Sequence, residues 1–414
     1  MKIIVLTSTL QSNSNYKIPM FVRDQIKELA KVDPSTEYYV LAPYDHRLRN
    51  KNNSISENLH VIYFRYMWPR QLCTLNAEGL WPAIQKNPAK LILVPPMMVC
   101  FIFIAVRLAL KKSPDLLYAH WLTPQGIVAY TSSLIAGAPF AFTSHASDAS
   151  ILDKLPFIGK LIVKLCTRRA RGITVVSKRT RNKLRHFFTD TEWESIEGKV
   201  HTIPMGTSVS PSSGHRRTQQ HQPYILFMGR LAEKKGVAYL IKGFQEFASH
   251  HPEYTLKIAG IGPLKAELSS LISSLNLQDK VSLVGYAEGK IKESLIGNCD
   301  IFIVPSIITK NGDSEGLPVS LLEGLSAGKL CIATKESGAD EVIEQSCNGF
   351  LIDQKSPKAI SEALHLAANL DEASIDKIRR NAIRTARKYS WEEIGHKYYQ
   401  FLMSATNDKK NTHH

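Results

Sequence analysis

The chain has 414 residues, too many for one ordinary core, so its length favours two domains or more. Apolar residues make up 44% and charged residues 21%, which excludes a disordered chain, and six scattered cysteines (73, 100, 166, 299, 331 and 347) without a CxxC pair or a Cys/His set exclude a zinc module or disulfide scaffold and suit reduced thiols in a cytoplasm. The net charge of +15 is uneven, with 27 Lys/Arg against 14 Asp/Glu in residues 1–208 and 25 against 23 in residues 209–414.

The opening MKIIVLTSTL has an apolar run too short for a signal-peptide core and reads as a first strand. Further short β-branched runs follow at 38–42, 60–64, 116–120, 140–144, 173–176 and 200–203. A second series lies at 224–228, 255–259, 281–284, 301–305, 330–333 and 349–352. Helix-length segments such as 22–31, 237–249 and 263–274 alternate with them. Such alternation signals parallel α/β sheets, and seven strands followed by six predict two. The polar stretch 207–222, TSVSPSSGHRRTQQHQ, reads as the linker between domains 1–206 and 223–390.

Two segments of the first half bear on location. Residues 91–106 form an apolar run shorter than a membrane span and interrupted by Pro95-Pro96, so a buried helix or one dipping into a bilayer surface is expected. Residues 154–185 hold eleven basic residues and no acidic one. That stretch fits a solvated helical face or a surface facing anionic lipid or an anionic glycolipid. Nucleic acid is disfavoured, because no aromatic platform or binding motif accompanies the charge.

The residues that carry chemistry stand at the carboxyl ends of predicted strands, where open α/β sheets bind ligands. His120-Trp121 ends one strand of the first half, and Ser144-His145-Ala-Ser-Asp148 ends another. A lone histidine is often a structural hydrogen-bonder, but Ser and Asp nearby could order the His145 ring. In the second half Gly229-Arg230 and Lys234-Lys235-Gly236 offer two cations to a diphosphate, whose charge grows as a sugar departs. Gly260 and Gly262, in AGIGP, lack the third glycine of a dinucleotide fingerprint and suit a tight turn beside a nucleoside or a plain strand–helix turn. In Glu315-Gly-Leu-Pro318-Val-Ser-Leu-Leu-Glu323, proline fits the first helical position. The N–H groups of Val319 and Ser320 then point from a positive helix end, a phosphate site. Glu315 in the loop and Glu323 on the helix leave one carboxylate for the sugar and one for ribose hydroxyls.

The set GRLAEKKG, AGIGPL, SEGLPVSLLEGLSAG and SHASD resembles the retaining glycosyltransferases of family four, over essentially the whole chain. The pair Glu315 and Glu323, with seven residues between them, is the most diagnostic part. The resemblance implies a GT-B fold, two Rossmann-like α/β domains with parallel sheets facing each other across a cleft, with residues 391–405 crossing back onto the first domain. It also implies that Arg230 and Lys235 bind the donor diphosphate and Glu323 the ribose. Glu315 would lie by the sugar with the backbone of Gly316 and Leu317, and His145 would contact the sugar from the opposite domain. The family needs no bound metal or other cofactor, in keeping with the lack of a DxD motif behind an apolar strand here. One departure stands out: the loop 12–19 has no glycine where many members carry one or two, although Phe21-Val-Arg-Asp-Gln25 fits the segment that follows.

The function expected is retaining transfer of a hexose-type sugar from a nucleotide diphosphate-sugar to an acceptor hydroxyl of a glycolipid or polysaccharide intermediate. A nucleotide-sugar 2-epimerase of the same fold and a degenerate, binding-only homologue are the alternatives. The basic first half places the protein in the cytoplasm, peripheral on the inner face of the plasma membrane.

Overall fold

A computed structural model describes residues 1–10, 21–48, 53–77, 79–145, 148, 152–153, 155–208 and 222–407. The glycine-free loop 12–19, Ala146, Ser147, Lys154 and the linker residues 209–221 lie outside them. The chain separates into two compact units, Met1–Met205 with Ile394–His414, and Gly206–Glu393.

In the first unit the strands are β1 (Lys2–Leu6), β2 (Glu37–Pro43), β3 (Asn53–Ser56), β4 (Leu59–Phe64), β5 (Leu116–His120), β6 (Phe140–Ser144), β7 (Gly172–Val175) and β8 (Val200–Thr202). They pair in the order β3-β4-β2-β1-β5-β6-β7-β8. All neighbours are parallel except β3, which runs antiparallel to β4. The expected seven strands are present and β3 is an eighth: its NSIS is too short and polar to carry a strand pattern, and it forms as the hairpin partner of β4. The central strands β5 and β6 are buried along their whole length, as strands covered by helices on both faces must be.

The apolar run 91–106 is a short 3₁₀ turn, Pro88–Leu93, leading into the helix Val94–Lys112. The two prolines do not interrupt it, because they occupy its first turn, where no intrahelical N–H is lost. One stripe, Met97, Phe101, Ala105 and Ala109, closes the core over the sheet. The opposite side, with Val99 and Phe103, faces solvent, so the helix is half buried.

The basic stretch is less unbalanced in three dimensions than in sequence. Directly after it comes the acidic helix Asp190–Glu197, started by a capping box of Thr189 and Glu192. Glu192 meets Lys164 at 2.5 Å and Arg168 at 3.1 Å, Glu197 meets Arg181 at 2.8 Å, and Asp190 meets Arg185 at 3.1 Å. Four cations of the run thus have acidic partners that a count ending at residue 185 omits.

The helix Trp391–Asn407 packs on the first unit from residue 394 onward. Tyr398 is fully buried and donates to the Ile203 carbonyl at 2.9 Å, while the Tyr399 hydroxyl donates to Asp33 at 3.0 Å.

The second unit holds β9 (Tyr224–Met228), β10 (Thr255–Ala259), β11 (Val281–Gly285), β12 (Ile301–Val304), β13 (Leu330–Thr334) and β14 (Phe350–Ile352). Their order is β11-β10-β9-β12-β13-β14, all parallel. Strand order reverses at β9, the place where a doubly wound sheet opens a crevice at its carboxyl edge. Helices Val237–His250 and Pro357–Ala368 pack together over this sheet through Leu240, Phe244, Ile360 and Leu364.

Candidate active site

Two clusters lie at strand carboxyl ends, one in each unit. In the second unit, β9 runs out into Gly229 and the exposed Arg230. A 3₁₀ turn, Glu233–Lys235, then leads through Gly236 into the helix Val237–His250. The Lys235 stem lies over Gly229, whose added Cβ would stand 3.6 Å from Lys235 Cε. Lys235 reaches Glu315 at 3.1 Å, and Lys234 spans Glu315 at 3.6 Å and Asp313 at 3.3 Å.

The loop that carries these acids is held on both sides. Thr309 ties it into a turn by donating N–H to the Asp313 carbonyl and accepting the Asp313 N–H on its hydroxyl. Ile307 N–H bonds the Lys234 carbonyl at 2.8 Å, joining the loop to the lysine turn. Gly338, at φ +83°, sits so close to Gly316 that an added Cβ would come within 1.7 Å of its carbonyl oxygen. The backbone around Glu315, Gly316 and Leu317 is therefore fixed by a residue that only glycine can supply.

Glu315 is 15% exposed at its side chain. Burial alone would raise its pKa, but Lys235 and then Lys234 outweigh burial and hold the carboxyl at about 2. For Lys234, burial favours the neutral amine, yet Glu315 and Asp313 overcome it and raise the pKa. At neutral pH Glu315 is therefore an anion and no proton donor, facing a protonated Lys234.

Pro318 is the N-cap of the helix Val319–Ser326, one position earlier than the sequence suggests, in extended backbone. Its carbonyl accepts from Leu321 N–H at 3.0 Å, so Val319 and Ser320 are the two N–H groups ahead of that first bond. Glu323 stands on the second turn and meets Lys292, from the helix Gly289–Asn298, at 2.5 Å. Lys292 carries no sequence signal: it is one of several lysines on an ordinary surface helix, 31 residues from its partner.

Gly260 and Gly262 have a packing reason for being glycine. Gly229 N–H bonds Ala259 O at 3.0 Å, Leu231 N–H bonds Ile261 O at 2.9 Å, and Leu264 N–H bonds Leu231 O at 3.1 Å. The two loops lie so close that a Cβ at Gly260 would fall 1.8 Å from Gly229 O, and one at Gly262 2.2 Å from Leu231 O. Of the two turn readings, the plain close packing is the one with a visible cause, and it presses the Arg230 loop against its neighbour.

In the first unit, His145 ends β6 within an aromatic shell of Trp121 at 4.7 Å, Phe21 at 5.3 Å and His120 at 6.0 Å between ring centroids. Asp148 accepts from the His145 backbone N–H at 3.2 Å, from Ser144 Oγ at 3.0 Å and from Leu122 N–H at 2.7 Å. Through these bonds it orders the loop after β6. Nε2 of His145 has no hydrogen-bond partner among the described residues, and neither has either ring nitrogen of His120. The structural hydrogen-bonder reading of His120 therefore does not hold there. Burial lowers the His145 pKa to about 3, and burial followed by His145 pushes His120 well below the usual histidine range. Both rings are neutral at physiological pH. Among the described residues no three His, Cys, Asp or Glu side chains gather as a metal site.

Comparison with known proteins places both units. Residues 58–210 match the model of Glycosyltransferase Family 4, and residues 213–389 match that of Glycosyl transferases group 1. The amylovoran biosynthesis glycosyltransferase of Erwinia amylovora is 31% identical over 178 residues, 43% of this chain and 44% of that one. The chain spans less than half the length of the first of the curated relatives it matches. An N-acetyl-alpha-D-glucosaminyl L-malate synthase of Bacillus anthracis is 20% identical across 82% of this chain and 87% of its own. Among solved structures, Anabaena HepE in complex with UDP superposes with a TM-score of 0.70 at 20% identity, covering 98% of this chain and 100% of that one. A sucrose-phosphate synthase from Thermosynechococcus elongatus gives 0.77 at 15% identity over 97% and 98%. With the two family models in tandem and the fold shared along its length, the chain belongs to glycosyltransferase family four, of the GT-B fold.

Proposed function

We propose that the protein moves a hexose-type sugar, with retention of configuration and without a metal, from a nucleotide diphosphate-sugar to an acceptor hydroxyl. The reading rests on one observation above all: Lys234 and Lys235 converge on the ionised Glu315 directly ahead of the helix start at Val319 and Ser320. That arrangement supplies fixed positive charge where a diphosphate leaves and a carboxylate where a sugar would lie. Arg230 and Lys235 take the diphosphate, with the Val319 and Ser320 N–H groups, and Glu323 takes the ribose. Lys235 is then shared between Glu315 and the phosphates. Glu315 contacts the sugar with the Gly316 and Leu317 backbone, and the family resemblance assigns His145 a sugar contact as well. In the step itself the acceptor oxygen bonds to the anomeric carbon as the bond to the phosphate oxygen breaks. The electron pair leaves with the diphosphate, which takes the acceptor proton. A neutral His145 and an ionised Glu315 fit this scheme, since neither has to act as the acid.

The relative named for amylovoran biosynthesis supports a glycan or glycolipid acceptor, and HepE solved with UDP supports a nucleotide donor. The basic first half supports work in the cytoplasm at an anionic membrane surface. The test is release of nucleotide from a panel of nucleotide sugars, with and without lipid-linked acceptors and with chelator present. Proton NMR of the product reads the anomeric configuration. Release only in the absence of chelator, an inverted product, or conversion of the donor to its 2-epimer would each overturn the corresponding part.

A further inference from the structure

The helices Val94–Lys112, Ile127–Ala136 and Pro156–Arg169 follow β4, β5 and β6 in turn. Right-handed crossovers in one direction along the sheet put all three on the same face. The first packs on the second and the second on the third. Their inner stripes complete the core, with Met97 and Phe101 from the first, Val128 and Ala129 from the second, and Val163 and Cys166 from the third.

A helix covering a soluble domain normally turns polar residues outward. These do the opposite: Phe103 on the first, Leu134 and Ile135 on the second, and Phe157, Ile158 and Leu161 on the third are exposed, Phe157 to 88%. Apolar side chains grouped so on neighbouring helices mark an interaction surface. Its charge says what covers it. Residues 88–112, 127–136 and 156–169 contain eight Lys and Arg and no Asp or Glu. On the first helix Arg107 and Lys111 continue the exposed stripe of Val99 and Phe103 at four-residue spacing, and Lys160 is exposed on the third. A second copy of the chain would set like charges against like across a two-fold interface. The segment Pro88–Lys112 is long and apolar enough to cross a bilayer. Crossing would strip Met97 and Phe101 from the sheet, so lying on the bilayer is the arrangement that keeps the core.

We propose that this three-helix face seats the protein on an anionic lipid bilayer, with Phe103, Phe157, Ile158 and Leu161 below the headgroups and Arg107, Lys111 and Lys160 among the lipid phosphates. The inference deepens the membrane-surface reading above and rests on it for its purpose, although docking itself requires no sugar transfer.

The test is co-sedimentation of the full chain with vesicles of phosphatidylcholine alone or with phosphatidylglycerol added, across a salt series. Anionic vesicles should bind, and salt should weaken binding without abolishing it, because apolar burial is not screened. The double variant Phe157→Ser, Leu161→Ser should lose on the order of tenfold or more in partition, with its circular dichroism and melting curve unchanged. Phe157→Trp keeps the apolar bulk and reports insertion directly, as a blue-shifted emission quenched by brominated lipid. Unchanged partition of the double variant, no quenching of the tryptophan, or a dimer in solution that the double variant splits would each overturn the proposal. Transfer to a water-soluble acceptor should be the same in the double variant as in the wild type, while transfer to a vesicle-embedded acceptor falls. Absence of any transfer by a wild type that still binds vesicles would defeat the transferase reading and leave the docking face standing.

Discussion

Glu315→Gln tests whether two lysines hold this carboxylate ionised. The side chain is 15% exposed and its pKa is lowered from 4.5 to about 2. A depressed carboxyl contributes stability that is present above the unfolded pKa and is lost as pH falls through the folded one. The full shift corresponds to about 3 kcal/mol at pH 7, and linkage leaves about 1 kcal/mol of it at pH 3. Glutamine keeps the shape and cannot titrate, so its own deficit carries no such slope. Urea unfolding of wild type and variant, followed by tyrosine and tryptophan fluorescence at both pH values, should therefore show the gap between them shrink by about 2 kcal/mol on acidification. Other acids titrate in the same window, and the subtraction cancels them. A gap that stays constant from pH 7 to pH 3 would mean that Lys234 and Lys235 do not hold the carboxyl down. Glu315 would then be open to a role as an acid.

Arg230→Ala and Lys235→Ala should each lower kcat/KM by about 2–4 kcal/mol in transition-state terms, roughly 30- to 1,000-fold; activity within threefold of wild type for both would sink the diphosphate assignment. Arg230→Ala should leave the melting temperature alone, since Arg230 is exposed. Glu323→Gln should weaken nucleotide diphosphate binding in calorimetry while Glu315→Gln spares it, and Lys292→Met should mimic the first if that ion pair orients the carboxylate; the reverse partition would exchange the roles of the two glutamates. His145, with a pKa of about 3, should show no titration of its ring carbons between pH 5 and 8 by NMR with labelled histidine, and an inflection near 6.5 there would refute its neutral burial.

What the sequence yields follows the range of the forces involved. The thirteen expected strands are all present, and the central ones, such as β5, β6 and β9, announce themselves most clearly because burial on both faces demands an unbroken apolar run; β3 is silent, being a polar edge that exists through its hairpin with β4. Arg230, Lys235, Glu315 and Glu323 stand in the sequence beside the turns that place them, so their neighbourhood is legible. Their partners are less so. Lys234 lies in a quoted segment and Asp313 two residues ahead of Glu315, yet only folding sets them around Glu315, and Lys292 arrives from another helix altogether. Asp148 behaves in the same way: only folding brings the Leu122 N–H, 26 residues away, onto its carboxylate beside the Ser144 hydroxyl and the His145 N–H. Charge counting misleads too, since the helix Asp190–Glu197 answers four of the cations before it.

The first unit's discontinuity bears on the order in which the protein is made. Tyr398 fills a fully buried place beneath Ile203, and Phe401 lies against Gly172, yet both are translated after all of residues 206–393. The ribosome therefore releases the whole second unit while the first still lacks the helix that seals it. The nascent N-terminal sheet must wait, with the Tyr398 site open, through the synthesis of the entire second sheet. Chains stalled in that interval should be the ones most dependent on chaperones, and sensitivity to proteolysis should fall only when residues 394–407 emerge.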